Sequence, residues 1–139
     1  MKIVVDANIF VSSYFWGGKP RKIFERIITG LDELYITQEI LDEVKDVISR
    51  PKFHASMSEI MLYINSIEEI ANKIVVKEKM KTKSRDRDDD KYIECAISGK
   101  VNYLISGDIH LLEIKKFEEI KIINANEYLE IVSTAYNNS

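Results

Sequence analysis

The sequence predicts a three-layer α/β/α sandwich built on a mostly parallel, about five-stranded sheet. Three observations lead there. The chain has 139 residues, 45% hydrophobic and 31% charged, which is enough apolar material for one core and too little chain for two. Short β-branched runs alternate with stretches of helical period, the order of parallel strands joined by right-handed crossovers. The glycines and prolines are few, five and two, and fall mainly at the breaks between these stretches.

Lys2 to Val5 is apolar, ends at an acid and is too short for a helix, so it predicts the first strand. After the break Trp16-Gly17-Gly18-Lys19-Pro20, a helix is expected over Arg21–Thr29, with Ile23, Phe24, Ile27 and Ile28 at helical spacing and Gly30 as its stop. Leu34-Tyr35-Ile36 reads as the second strand. Thr37 then caps a helix whose stripe is Ile40, Leu41, Val44, Val47 and Ile48, ending before Arg50-Pro51. Ser56 and Glu59 have the spacing of a capping box for a helix reaching about Asn72. Ile74-Val75-Val76 is β-branched and predicts the third strand. Lys77 to Arg87 has no apolar period and reads as a loop; a helix follows from about Asp88 to Ser98, closed by Gly99. Tyr103-Leu104-Ile105 is the fourth strand, Asp108 to Ile114 one or two helical turns, and Ile120–Ile123 the fifth strand. Asn124 or Asn126 caps a last helix over Glu127–Val132, which makes residues 1–132 a single domain and 133–139 a frayed C-terminal tail.

Composition narrows the function. No window approaches the ~18 apolar residues of a membrane span, so no membrane association is expected. The lone Cys95 cannot close an internal disulfide, and the first residues lack the apolar stretch of a signal peptide, so a cytoplasmic location is expected. A net charge of −3 is not that of an avid, non-specific nucleic-acid coat, but it leaves room for a local basic patch.

Ligands of an open parallel sheet bind outside the carboxyl ends of its strands, and acids collect there in four segments. Asp6 ends the first strand, with Asn8 two residues on. Glu43 flanks the apolar stripe of the helix after the second strand, unlike Glu39, Asp42 and Asp46, which point away. Asp89 and Asp90 open the helix after the third strand. Asp108 follows the fourth, behind Ser106 and Gly107. Singly, each reads as readily as a helix cap or a solvated acid. Together, four like charges at one sheet edge repel unless a cation sits among them. A hard divalent ion suits oxygen ligands, and Mg²⁺ is typically held by one or two carboxylates plus phosphate oxygens. Zinc fits poorly, since one cysteine and the separated His54 and His110 form no zinc spacing. Such an ion activates water and stabilises both oxygens of an in-line displacement at phosphorus, which points to phosphodiester hydrolysis.

These segments resemble the motifs of the PIN-domain ribonucleases, the family that includes VapC-like toxins of toxin-antitoxin systems, over nearly the whole chain. Val4-Val5-Asp6-Ala7-Asn8-Ile9 is similar to its opening strand and Asp-x-Asn motif, and Glu39-Ile40-Leu41-Asp42-Glu43-Val44 to its second motif. Asp88-Asp89-Asp90-Lys91-Tyr92-Ile93 resembles the third, selecting Asp90, with Asp89 the alternative. Leu104-Ile105-Ser106-Gly107-Asp108 resembles the fourth. Gly17-Gly18-Lys19-Pro20 and Ser49-Arg50-Pro51-Lys52-Phe53 further resemble a subgroup of PIN-family toxin components. Many relatives carry another acid where this chain has His110, which puts a second metal ion in doubt. The resemblance implies a Mg²⁺- or Mn²⁺-dependent endoribonuclease. Asp6, Glu43, Asp90 and Asp108 would hold the metal and orient water, Asn8 and Ser106 would position the acids, and the products would carry 5′-phosphate and 3′-hydroxyl ends. By analogy it also implies a cognate antitoxin partner and a homodimer, for which the apolar helix over 59–70 offers a surface.

Substrate contacts are expected from basic residues. Lys77, Lys79, Lys81, Lys83, Arg85 and Arg87 against Glu78 and Asp86 give that loop a charge of +4, leaving −7 for the remainder. A basic loop entering the third motif can follow an RNA backbone to an otherwise repulsive acidic edge, though a plain solvated loop is an equal reading. Lys19, Arg21 and Lys22 form a second patch, beside Phe15 and Trp16, which read as core or dimer contacts before base-stacking ones. A phosphate-accepting receiver domain is disfavoured, because Lys77, not an acid, follows the third strand and no lysine follows the fifth. A phosphatase with an aspartyl nucleophile is disfavoured by Asp6-Ala7-Asn8 where Asp-x-Asp is usual. A non-catalytic RNA-binding or scaffold module of the same fold is the main alternative, but it has no need of all four acids.

Overall fold

The computed structural model describes residues 1–77 and 89–137, with side chains to Thr134. Its sheet has six strands in the order β3-β2-β1-β4-β6-β5, five parallel and the last antiparallel. β1 (Lys2–Val5) and β4 (Tyr103–Ile105) lie at the centre, flanked by β2 (Glu33–Ile36) and β6 (Ile120–Ile123). Ile3, Val4, Val5, Leu104 and Ile105 are almost wholly buried, as expected of central strands covered on both faces.

α1 (Ala7–Phe15) starts directly after β1, where the sequence assigns no element. Its missing signal has a physical cause. Ala7, Ile9, Phe10, Val11 and Ser13 are all buried, so the helix has only a narrow polar face to give it a period. α2 (Gly18–Ile28) begins three residues before the expected Arg21. Pro20 falls in its first turn, where a missing N–H leaves no bond unmade, and Gly17 supplies the φ of +73° that joins α1 to α2. α3 (Gln38–Ile48) is capped by Thr37, and α4 (Met57–Ile70) by Ser56 and Glu59 in a reciprocal capping box. A single 3₁₀ turn, Pro51–Phe53, connects them. α4 buries Ile60, Ile64 and Ile67 and leaves Met57 and Leu62 exposed.

The third strand is not Ile74-Val75-Val76. β3 (Ala71–Lys73) pairs with β2 as Leu34 with Ala71 and Ile36 with Lys73, and β2 ends at Ile36, where α3 takes the chain away. The three β-branched residues run past the end of their partner; Ile74 keeps one bond, its N–H to the Ile36 carbonyl at 2.9 Å. α5 (Asp90–Gly99) begins two residues after the expected Asp88, and Gly99 lies inside it. The left-handed residue that closes α5 is Lys100, φ +51°, whereas Gly99 is small because a Cβ there would lie 3.1 Å from the Tyr35 ring. α6 (Ile109–Leu112) follows β4, and a two-residue β5 (Lys116–Phe117), too short to show a period, pairs with β6. Asn124, not Asn126, caps α7: its side-chain carbonyl accepts from the Glu127 N–H at 2.8 Å. α7 (Ala125–Asn137) continues through residues 133–137, where a frayed tail was expected. No proline or glycine follows Val132 to stop it, and Val132 is itself buried in the core.

The strand order reverses direction after β3, so the right-handed crossover through α5 lies on the face opposite α1–α4. α5 packs against β1, β2 and β4, while α2 packs against α7. At the amino end of the sheet, Asp32 is buried in ion pairs with Arg26, at 2.8 Å, and with the Met1 amino group, at 3.4 Å. Among the described residues no helix is long and apolar enough to cross a membrane. Replacing Ser56 by alanine should remove one arm of the capping box and lower the unfolding free energy by about 1 kcal/mol, read from the urea midpoint at unchanged slope.

Candidate active site

β1 and β4 are neighbours whose onward connections leave in opposite directions, toward β2 and toward β6. That reversal opens a crevice at their carboxyl ends. Val5 pairs with Ile105, so Asp6 and Ser106, one residue further on, meet at its floor. Asp6 is 3% exposed. Its Oδ1 accepts from the Ile9 N–H at 3.2 Å, capping α1, and its Oδ2 accepts from the Ser106 hydroxyl and from the Gly107 N–H at 3.3 Å. The Ser106 oxygen in turn accepts from the Asp108 N–H at 3.0 Å, and Asp108 caps α6 by accepting from His110 N–H at 2.7 Å. Capping and convergence are therefore the same fact here, because each helix starts where its acid is needed.

Glu43 reaches the same place from α3. Its Oε2 accepts from the Tyr92 hydroxyl and lies 2.9 Å from the Lys91 ammonium. The Tyr92 oxygen accepts from the Ala7 N–H at 3.0 Å, which ties the first turn of α5 to the residue after Asp6. Asp89 and Asp90 stand at that helix start, both buried. Asn8 is exposed, and the group it turns toward Asp6 is its backbone N–H. A cleft of about 420 Å³ opens beside these groups, lined in part by Thr37, Glu39, Asp42, Lys91 and Glu94.

The basic residues divide. Lys19 donates to the Asn126 side chain at the start of α7, which follows the carboxyl end of β6 and so sets Lys19 on the same edge as the acids. Arg21 folds back to donate to the Ser13 carbonyl at 3.1 Å, and Lys22 is exposed along the α2–α7 groove. Lys79, Lys81, Lys83, Arg85 and Arg87 lie outside the described residues. Phe15 is half-buried and stacks on Phe53, while Trp16 is 70% exposed.

Burial dominates the electrostatics. Desolvation pushes the Asp6 carboxyl above the usual aspartate range, although the Ser106 hydroxyl and three backbone N–H groups pull the other way. Burial and the neighbouring Glu43 carboxylate hold the Tyr92 phenol well above its ordinary value, so it remains a donor. Among the described residues no three His, Cys, Asp or Glu side chains stand close enough to share a metal ion as placed. The chemistry of the donors nevertheless fits a hard divalent cation. They are all carboxylate oxygens on one edge, Asp6 is met among the described residues by neutral donors only, and Mg²⁺ needs one or two protein carboxylates with water completing its shell.

A family model described as PIN domain matches residues 2–110, and the chain belongs to that family. Among solved structures, the fold is similar to a chain in the crystal structure of VapBC2 from Rickettsia felis bound to a DNA fragment from its promoter. That likeness has a TM-score of 0.63 at 13% identity, over 89% of this chain and 98% of that one. No curated protein matches the chain.

Three groups at the site carry no signal of their own in the sequence. Lys91 and Tyr92 enter the sequence reading only as parts of the third motif, and Glu94 does not enter it. Helical period does place Tyr92 on the buried face with Ile93 and Ala96, but it does not reveal that a hydroxyl there spans Ala7 and Glu43. The raised Asp6 pKa yields a prediction. Native Asp6 binds its proton more tightly than the unfolded chain, so its contribution to stability is present below about pH 3.9 and is lost as pH rises through the native value. Asp6→Asn should therefore be more stable than the natural chain at pH 7 in chelator, with the difference vanishing below about pH 3.9 in urea titrations; a less stable variant at pH 7 would contradict the desolvation argument.

Proposed function

We propose that this chain is a divalent-metal-dependent endoribonuclease acting as the toxin of a toxin-antitoxin pair. The observation that carries the reading is the buried Asp6 at the β1–β4 crevice, bonded to Ser106 and linked through Ser106 to Asp108 and through Ala7 and Tyr92 to Glu43. Membership of the PIN domain family and the likeness to VapBC2 support it. Asp6, Glu43, Asp90 and Asp108, with Asp89 beside them, would hold Mg²⁺ or Mn²⁺. When bound, the ion supplies Lewis-acid activation of water and charge neutralisation at the phosphoryl group.

The remaining work falls to this chain's own groups. Ser106 fixes the rotamer of Asp6 by donating to Oδ2, so the carboxylate is aimed before substrate arrives. Tyr92 does the same for Glu43, and its raised pKa keeps the proton in place. Asn8 is exposed, and in this reading its side chain would contact substrate. Lys19 and Lys22, together with the basic residues between Lys79 and Arg87, would follow the RNA backbone and offset the repulsion of an acidic edge. A homodimer has a candidate surface in Met57, Met61 and Leu62 of α4, which the core leaves uncovered. The antitoxin and a cytoplasmic location complete the proposal.

Cleavage of end-labelled RNA in Mg²⁺, Mn²⁺ and chelator tests it. Asp6→Asn and Asp108→Asn should each abolish metal-dependent products, a loss on the order of 10² or more, while circular dichroism stays that of the natural chain. RNA binding without cleavage in any metal would move the reading to a non-catalytic module. Reversing the charges of Lys81 and Lys83 should weaken RNA binding and reduce the slope of log affinity against log salt by about 1.5 to 2, and an unchanged slope would remove that loop from the interface.

A further inference from the structure

We infer that the Lys91 ammonium is a built-in counter-cation at this site, which holds Glu43 and must give way when a divalent metal ion binds. The inference rests on the reading of the acids as a metal site and concerns what stands in for the ion before it arrives. Lys91 is the second residue of α5, in the first turn, where the positive end of the helix dipole disfavours a cation. It is nonetheless drawn in, its side chain only 14% exposed against 34% for Glu43, with Nζ 2.9 Å from Glu43 Oε2 and 5.5 Å from the centre of the Tyr92 ring. The acids account for that. Glu39, Asp42 and Glu94 line the adjoining cleft, and Lys91 is the one cationic group among its described lining residues. Lys91 thus brings a positive charge directly onto Glu43, on a side of the site lined by carboxylates.

The arrangement makes Lys91 and a divalent ion alternatives. Both are attracted to the same carboxylate. An ion taken on the other oxygen, Oε1, would still lie beside the ammonium, where like charges in a part-buried cleft repel. A lysine can vacate such a place because it is a point charge on a flexible four-carbon stem, with no fork to hold it in register. Lys91 is thus a positioning residue: it keeps Glu43 at the crevice and sets how strongly metal must bind to claim it.

Mn²⁺ binding to the full-length chain, followed by the electron paramagnetic resonance of free Mn²⁺, separates the outcomes. Lys91→Met keeps the stem and removes the charge, and it should bind Mn²⁺ about tenfold or more tightly than the natural chain. Lys91→Arg keeps the charge and should stay near the natural affinity. Lys91→Gln carries the same expectation as Lys91→Met should the latter lose its native circular dichroism. Equal or weaker binding in the uncharged variants overturns the counter-cation role. Asp6→Asn keeps that failure apart from failure of the metal reading. If Asp6→Asn loses Mn²⁺ while Lys91→Met is unchanged, only the lysine inference falls. If Asp6→Asn binds as the natural chain does, or if neither the natural chain nor Lys91→Met binds, the metal site falls and the inference with it.

Discussion

A buried carboxylate that only neutral donors meet among the described residues is the constraint around which this protein is arranged. Asp6 and Asp32 are buried at opposite ends of the sheet, and they are treated differently. Asp32 is given Arg26 and the amino group of Met1, a pairing that offsets the cost of taking its charge out of water. Asp6 is given a hydroxyl and backbone N–H groups, all neutral, and burial still wins, pushing its pKa up. Natural sequences tolerate that kind of local cost mainly where it serves a site.

The neighbouring elements follow from where Asp6 stands. It can accept from Ile9 only because α1 starts immediately after β1, and from Ser106 only because β4 lies beside β1 in register. β4 takes that central place because the chain leaves β3 at one edge, crosses the opposite face through α5 and returns next to β1. The same crossover brings Tyr92 to Ala7 and Glu43, so topology and site geometry are set by one connection.

Much of the fold was legible because its signals are local. Thr37, Ser56 with Glu59, and Asn124 are caps readable within four residues, and each caps the helix observed. The failures involve information that is not local. α1 has little polar face to display a period, and Ile74-Val75-Val76 has strand chemistry but no partner past Ile36. Gly99 has the identity of a helix stop, yet its role is set by the Tyr35 ring on β2. The common edge of two acids was legible for a related reason: Asp6 follows β1 directly and Asp108 follows β4 three residues on, and strand ends in a parallel sheet share an edge. What binds those acids to one another was not, because Tyr92, Lys91 and the Ser106 hydroxyl act across pairs separated by 49, 48 and 100 positions.

If the acidic crevice activates water for attack at phosphorus, as proposed, the chemistry of the cut ends reports it most directly. RNA cleaved in Mn²⁺ by the natural chain should carry 5′-phosphate and 3′-hydroxyl ends, with no cutting in chelator. Ends bearing 2′,3′-cyclic phosphate would mean that the ribose hydroxyl attacked instead, and the same cuts in chelator would mean that no divalent ion takes part; either result contradicts metal-activated water as the nucleophile.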